Sequence, residues 1–201
     1  MIARAIDSVN QALAMIGDIA ETGNMYIYGH SLGGLIGMCW EGAGGPPVAG
    51  RVLAHPNTDP NAQGGLQPDI TALDYVSMAP AATGPVIILG GNQDEIAPLD
   101  QQIDAYNALT SASPKKVFYM HGDWYGSPNL DADHMAAIND DGLIPGWAMD
   151  MFGGDGEVDA LDWRYYHVAV EALIDGIVDI PWDMGTWSDG TPVNTPVDET
   201  P

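Results

Sequence analysis

The stretch Gly29-His30-Ser31-Leu32-Gly33-Gly34 decides how this chain is read, because of what stands on either side of it. Before it lies a short apolar run, Met25-Tyr26-Ile27-Tyr28, set off by Gly23-Asn24, which reads as a buried strand. After it, Leu35-Ile36-Gly37-Met38-Cys39-Trp40 reads as the buried first turns of a helix. A serine with glycine at −2 and +2, held between a strand and a helix, is the pattern of a nucleophile elbow. The spacing has a steric origin. The turn is so tight that the serine takes strained backbone angles, and residues two positions away are expected to lack side chains so that strand and helix can pass. A chain with 25 glycines meets G-x-S-x-G by chance, so the weight rests on the strand before and the helix after.

Outward from the elbow, strand and helix patterns alternate. Ile2, Ile6, Val9, Leu13, Ile16 and Ala20 fall at steps of three and four and predict a helix over 2–21, ended by Gly23-Asn24. A loop over 42–47 leads to a second strand, 48–54, that stops at His55-Pro56. The Asn-, Asp-, Pro- and Gly-rich stretch 57–66 predicts a surface loop, with a short helical piece over 69–78. Pro85-Val86-Ile87-Ile88-Leu89, closed by Gly90-Gly91, is the clearest strand, followed by a helix over 99–109 and a strand over 115–120. A long loop leads to a last helix at about 160–178, and residues 181–201 read as a loosely ordered acidic, proline-containing tail. This order predicts one α/β domain over 1–180: a mostly parallel sheet flanked by helices.

Bulk properties exclude several classes. With 28 Asp plus Glu against 5 Lys plus Arg, the formal net charge of −23 repels nucleic acid and anionic membranes. It suits a protein kept soluble in salty, extracellular or periplasmic surroundings, where screening weakens self-repulsion. No apolar run approaches the ~20 residues of a membrane span. The single cysteine, Cys39, excludes an intrachain disulfide and reads as a buried structural thiol, and no Cys/His spacing suggests zinc.

Functional groups of a parallel sheet gather at the carboxyl ends of its strands. Beyond the 85–89 strand, Gly90-Gly91-Asn92-Gln93-Asp94-Glu95-Ile96-Ala97-Pro98 puts Asp94 where a carboxylate can orient an imidazole, with Glu95 as its neighbour and substitute. Beyond the 115–120 strand come His121 and, in Asp131-Ala132-Asp133-His134-Met135-Ala136-Ala137, His134. A base at a loop tip can swing over the elbow, which favours His134 over His121, whose place at the strand terminus is deeper. His30, His55, His121 and Trp124 are the residues expected around a substrate pocket, whereas His167 reads as a packing residue of the last helix. Trp124, Tyr125, Trp147 and Trp163 are candidates for lining an acyl- or ring-binding pocket, with core packing the role expected for most of them. The acidic loop 153–159 lacks the spacing and the closing Glu of an EF-hand and reads as a solvated turn.

The chain order Ser31, Asp94, His134 matches that of α/β-hydrolases. The stretch from Met25 to Ala137, with G-H-S-L-G-G, G-G-N-Q-D-E-I-A-P and A-D-H-M, resembles the carboxyl-terminal part of that fold, and more narrowly bacterial esterases, lipases and polyester-hydrolase or chlorophyllase-like members. The resemblance implies a serine hydrolase acting on a small-molecule, lipid or polymer ester, without a cofactor or a metal. It makes Ser31 the nucleophile, His134 the base, Asp94 the acid and the Leu32 N–H an oxyanion donor. In the family several strands precede the elbow, and the loop that supplies the second oxyanion N–H comes before it. Here about 24 residues do, so the expectation is an amino-terminally truncated α/β-hydrolase fold. Gly122 to Asp133 forms a second departure, an insertion ahead of His134. Thioesterase, amidase and acyltransferase chemistry share such a triad, and a non-catalytic binding or structural domain is the other class to weigh.

Overall fold

The computed structural model describes residues 1–17, 23–59, 73–139, 146–154 and 156–201. Its five strands, β1 (Tyr26–His30), β2 (Gly50–Ala54), β3 (Val86–Gly91), β4 (Lys115–Met120) and β5 (Val197–Asp198), lie side by side in chain order. The first four are parallel, and β5 closes one edge antiparallel to β4. The helices are α1 (Ile2–Ile16), α2 (Leu32–Cys39), α3 (Tyr75–Met78), α4 (Leu99–Ala108), α5 (Gly146–Met151) and α6 (His167–Ile174). A π-helical turn, Asp162–Tyr166, runs directly into α6.

The alternation of strand side chains divides the core into two layers. Val52, Ala54, Ile87, Leu89, Phe118 and Met120 face the last helix through Leu161, Tyr165, Tyr166, Ala169 and Leu173. Leu53, Val86, Ile88 and Val117 face α2 and α4 through Leu35, Met38, Cys39, Ala105 and Leu109. Strand β3 is covered on both faces, which is why it reads as an unbroken apolar run. Each fully buried Ile or Leu there contributes about 1.5–3 kcal/mol of transfer free energy. Burial raises the Cys39 thiol to about 12, in keeping with a structural role. Arg51, buried in β2, is neutralised by a bidentate pair with Glu41 and donates to Gly37 O, pinning α2 to the sheet.

Several expectations need correction. The strand ahead of the elbow is not buried: β1 takes β2 on one side, no strand pairs with its other edge among the described residues, and Tyr28 is exposed. Helix α1 buries only Ile6, and 18–21 lie outside the described residues. The helical piece begins at Tyr75, capped by the Asp74 carboxylate on the Ser77 N–H, while 69–72, like 60–66 of the expected loop, are outside the described residues. Helix α5 arises within the stretch expected to be loop. The helix expected over 160–178 is a π turn followed by an α-helix ending at Ile174.

The carboxyl-terminal segment expected to be loose is tied to β4. Phe118 and Tyr119 pair with Asp198 and Val197, and the Val117 N–H donates to Thr200 Oγ1. Lys116 Nζ meets Asp198 at 2.7 Å and Asp179 at 2.9 Å, and Met184 and Val193 are buried. The Trp182 ring stands edge-on to Phe118. Its composition suggested a solvated chain, but alternate hydrophobic residues reach the core layer on β4 and outweigh the polar ones.

Candidate active site

The turn after β1 is as tight as its sequence suggests. Ser31 sits at φ 54, its N–H donates to Ala54 O on the neighbouring strand, and α2 begins at the next residue. A Cβ on Gly29 would lie 2.3 Å from Gly33 O, so glycine at −2 is obligatory. At +2 the steric argument fails, because a Cβ on Gly33 would meet nothing within 4 Å. The crowded position is Gly34, where a Cβ would lie 3.0 Å from Pro56 Cα.

Two loops bring polar side chains to this turn. His134, buried in the loop after β4, has Nε2 2.8 Å from Ser31 Oγ. Its Nδ1 lies 2.9 Å from Asp94 Oδ2 in the turn after β3. Asp94 Oδ1 accepts the backbone N–H groups of Ile96 and Ala97, which holds the carboxylate still. Burial works to raise the Asp94 carboxyl, but the His134 and His55 hydrogen bonds outweigh it and hold the group well below the usual carboxylate range. An ionised Asp94 only accepts, so His134 Nδ1 carries the proton and Nε2 is free to take one from Ser31. Glu95, beside Asp94, is exposed.

His30 ends β1, half-buried, with Nε2 2.6 Å from His134 O. Burial, aided by the neighbouring His55 and His134, pushes its imidazole down to about 3, so it is neutral and donates that N–H to the carbonyl. A cavity of about 200 Å³ opens over Ser31, walled by His30, Leu32, His134, Met135, Ile138 and Phe152. It is largely apolar. The N–H of Leu32 is at the first position of α2, where helix geometry gives it no intrahelical partner.

The other expected pocket residues lie elsewhere. His55 does not line this cavity: it is fully buried, hydrogen-bonded to Asp94 and to Tyr166, and its part was hidden because contacts made across three strands leave no local pattern. His121 is exposed at the end of β4 against Tyr119. Trp124 is exposed and donates to Asp131 Oδ1. Tyr125, Trp147 and Trp163 are exposed as well, so the core role expected for these aromatics is corrected; Trp147 lies on α5 and Trp163 on the outer side of the π-helical turn whose Tyr165 and Tyr166 enter the core. His167 packs on Trp163 at the surface. In the acidic loop, Asp155 lies outside the described residues, and Asp159 accepts the Leu161 N–H while burial raises its carboxyl to about 6.

Among the described residues, His55, Asp94 and His134 form the one grouping with the donor types of a metal site. Both Nδ1 atoms stand at hydrogen-bond distance from the same carboxylate oxygen. Two N–H donors on an ionised carboxylate make a complete set without an ion.

No family model matches the sequence, and no curated relative does. Solved structures do match. The monoacylglycerol lipase of Paleococcus ferrophilus aligns over 87% of this chain and 75% of its own, with 15% identity and a TM-score of 0.54. The chain has the α/β-hydrolase fold. Other solved structures align with it too: a puromycin hydrolase over 87% of this chain and 25% of its own, at 14% identity and a TM-score of 0.50. Est1E from Butyrivibrio proteoclasticus aligns over 67% of this chain and 62% of its own, at 15% identity and a TM-score of 0.49. The chain thus spans less than two thirds of Est1E, and 53% of an esterase from Pyrococcus furiosus. Among the described residues, no helix is long and apolar enough to cross a membrane.

Proposed function

We propose that this chain is a serine hydrolase that cleaves carboxylic esters through an acyl-enzyme. The observation that carries the reading is the continuous line Ser31 Oγ to His134 Nε2 to Asp94 Oδ2, at 2.8 and 2.9 Å, with the serine in a left-handed backbone. In the reaction, His134 Nε2 takes the Ser31 proton as Oγ attacks the ester carbonyl. The carbonyl oxygen gains charge beside the Leu32 N–H, and the imidazolium returns its proton to the departing alkoxide. Water, deprotonated by the same nitrogen, then releases the acid and restores Ser31. Asp94 steadies the imidazolium throughout. Each oxyanion donor in such a site stabilises the transition state by about 3 kcal/mol.

The small apolar cavity supports a short acyl group, from a small ester or the end of a lipid or polymer chain. A surface of net charge −23 argues against polyanionic substrates. The test is covalent labelling with a fluorophosphonate, then turnover of p-nitrophenyl esters. Labelling at Ser31, lost in Ser31→Ala together with about 10⁴-fold or more of the activity, is the expected result. A folded sample that takes no label would leave only the binding-domain reading.

A further inference from the structure

On the carboxylate of Asp94, beside His134, lies a second arm that the proposed reaction does not use. His55 comes after β2 as Ser31 comes after β1. Among the described residues these two are the non-glycine positions with a left-handed backbone, at φ 48 and φ 54. His55 is fully buried, and its N–H donates to Leu89 O at 2.7 Å, fixing the turn against β3. Its Nδ1 is 2.7 Å from Asp94 Oδ2, the oxygen that also meets His134, and its Nε2 is 2.7 Å from the Tyr166 hydroxyl. Tyr166 closes the π-helical turn, whose wider spacing lets the neighbours Tyr165 and Tyr166 both reach the core. Burial keeps the His55 imidazole neutral. With Asp94 ionised, Nδ1–H donates to the carboxylate and Nε2 accepts the Tyr166 O–H.

We infer that His55, backed by Tyr166, is a positioning residue of this site, which shares Asp94 Oδ2 with His134 and thereby sets the carboxylate's orientation and its pull on the His134 ring. The inference rests on the serine hydrolase reading. A carboxylate oxygen that accepts two N–H groups divides its charge between them, and Oδ1 is already engaged by Ile96 and Ala97. Removing the His55 donor frees Asp94 to hold the His134 imidazolium more tightly, while loosening the carboxylate itself. The other titratable groups facing the cluster are His30 and Tyr28 from β1, Tyr119 from β4, Tyr165 beside Tyr166, and Asp133 next to His134. All of these stay in place in the variants His55→Gln, His55→Asn and Tyr166→Phe.

The experiment tracks the His134 ring by NMR titration, with kcat/KM measured against pH, in the parent protein and in those three variants. Asparagine places its amide N–H near the position of Nδ1, whereas glutamine places it near Nε2. His55→Gln is expected to raise the His134 midpoint by about one pH unit, the tenfold that one hydrogen bond to a charged group is worth, and to lower kcat/KM about tenfold or more. His55→Asn is expected to keep the His134 midpoint close to the parent value, and both His55→Asn and Tyr166→Phe, which lose the hydrogen bond between positions 55 and 166, to lose only a few-fold in kcat/KM. Parent-like midpoint and rate in His55→Gln would overturn the inference, as would equal losses in the Gln and Asn variants. Should His55→Gln fail to fold, a parent-like Tyr166→Phe would overturn it. The NMR midpoint needs no turnover, so a Ser31 that takes no fluorophosphonate defeats the hydrolase reading separately.

Discussion

Ser31 and His55 stand at matching places in neighbouring strands, yet they do different work. The residues before them, His30 and Ala54, are partners in the β1–β2 register. Each donates its N–H to the next strand, Ser31 to Ala54 O and His55 to Leu89 O, and each then turns through a left-handed backbone. The difference lies in the residues that come next. After Ser31 a helix starts at once, so open N–H groups and the hydroxyl face a cavity. After His55 comes Pro56, which has no N–H to offer and whose ring packs where a Gly34 side chain would stand. One turn presents chemistry outward; the other directs an imidazole inward onto the carboxylate that supports it. Two residues at sparsely populated angles cost about 1–3 kcal/mol each, and such strain gathers at working sites.

The comparison breaks most completely at Asp94, where the two arms meet. Asp94→Asn removes the charge both imidazoles answer to, and kcat/KM on p-nitrophenyl acetate is expected to fall about 10⁴-fold. A loss below about tenfold would detach Asp94 from the chemistry.

Glycine substitution separates the turns by stability. Ser31→Gly relieves strain beside a cavity and is expected to raise the unfolding free energy by up to about 1 kcal/mol. His55→Gly relieves the same strain but leaves Asp94 and Tyr166 short of buried partners, with a net loss of about 3 kcal/mol. Urea unfolding reads both, and changes of the same sign would dissolve the distinction.

The remaining effect is the pH dependence. His30 and His55 are held neutral below their ordinary 6.5, His30 down to about 3. The unfolded chain takes up protons that the folded one refuses. Stability is therefore full above pH 6.5 and is lost as pH falls from there toward 3. Asp94 adds to this below its ordinary 3.8, since its folded value is depressed. Thermal melts monitored by circular dichroism should show Tm falling with acidity through that window, and less steeply in His30→Gln. An unchanged slope would remove His30 from the account.

Much of the fold is legible in the sequence because its signals are local. The β3 run Val86 to Leu89 is apolar at every position since both faces are covered, and the strand over 115–120 has the bounds its composition suggests. Ser31, Asp94 and His134 stand out by their places at strand ends and their order, and the folded chain brings them within hydrogen-bond reach. The misreadings share one cause: burial depends on neighbours far away in the chain. Tyr26 to Tyr28 look like a core strand, yet β1 is an edge among the described residues; residues 181–201 look loose, yet they pack on β4.

By itself, then, the sequence determined the alternation of elements, the unbroken apolar run of β3, and the glycine-bounded serine turn, since all arise from local sterics and hydrophobic pattern. Only the tertiary structure decided that His55 joins Asp94 to Tyr166. That contact joins residues 39 and 111 positions apart, and no short-range pattern of residues encodes it. It also decided which glycine the turn requires, because the obstacle at Gly34 is Pro56, which belongs to the next strand's turn.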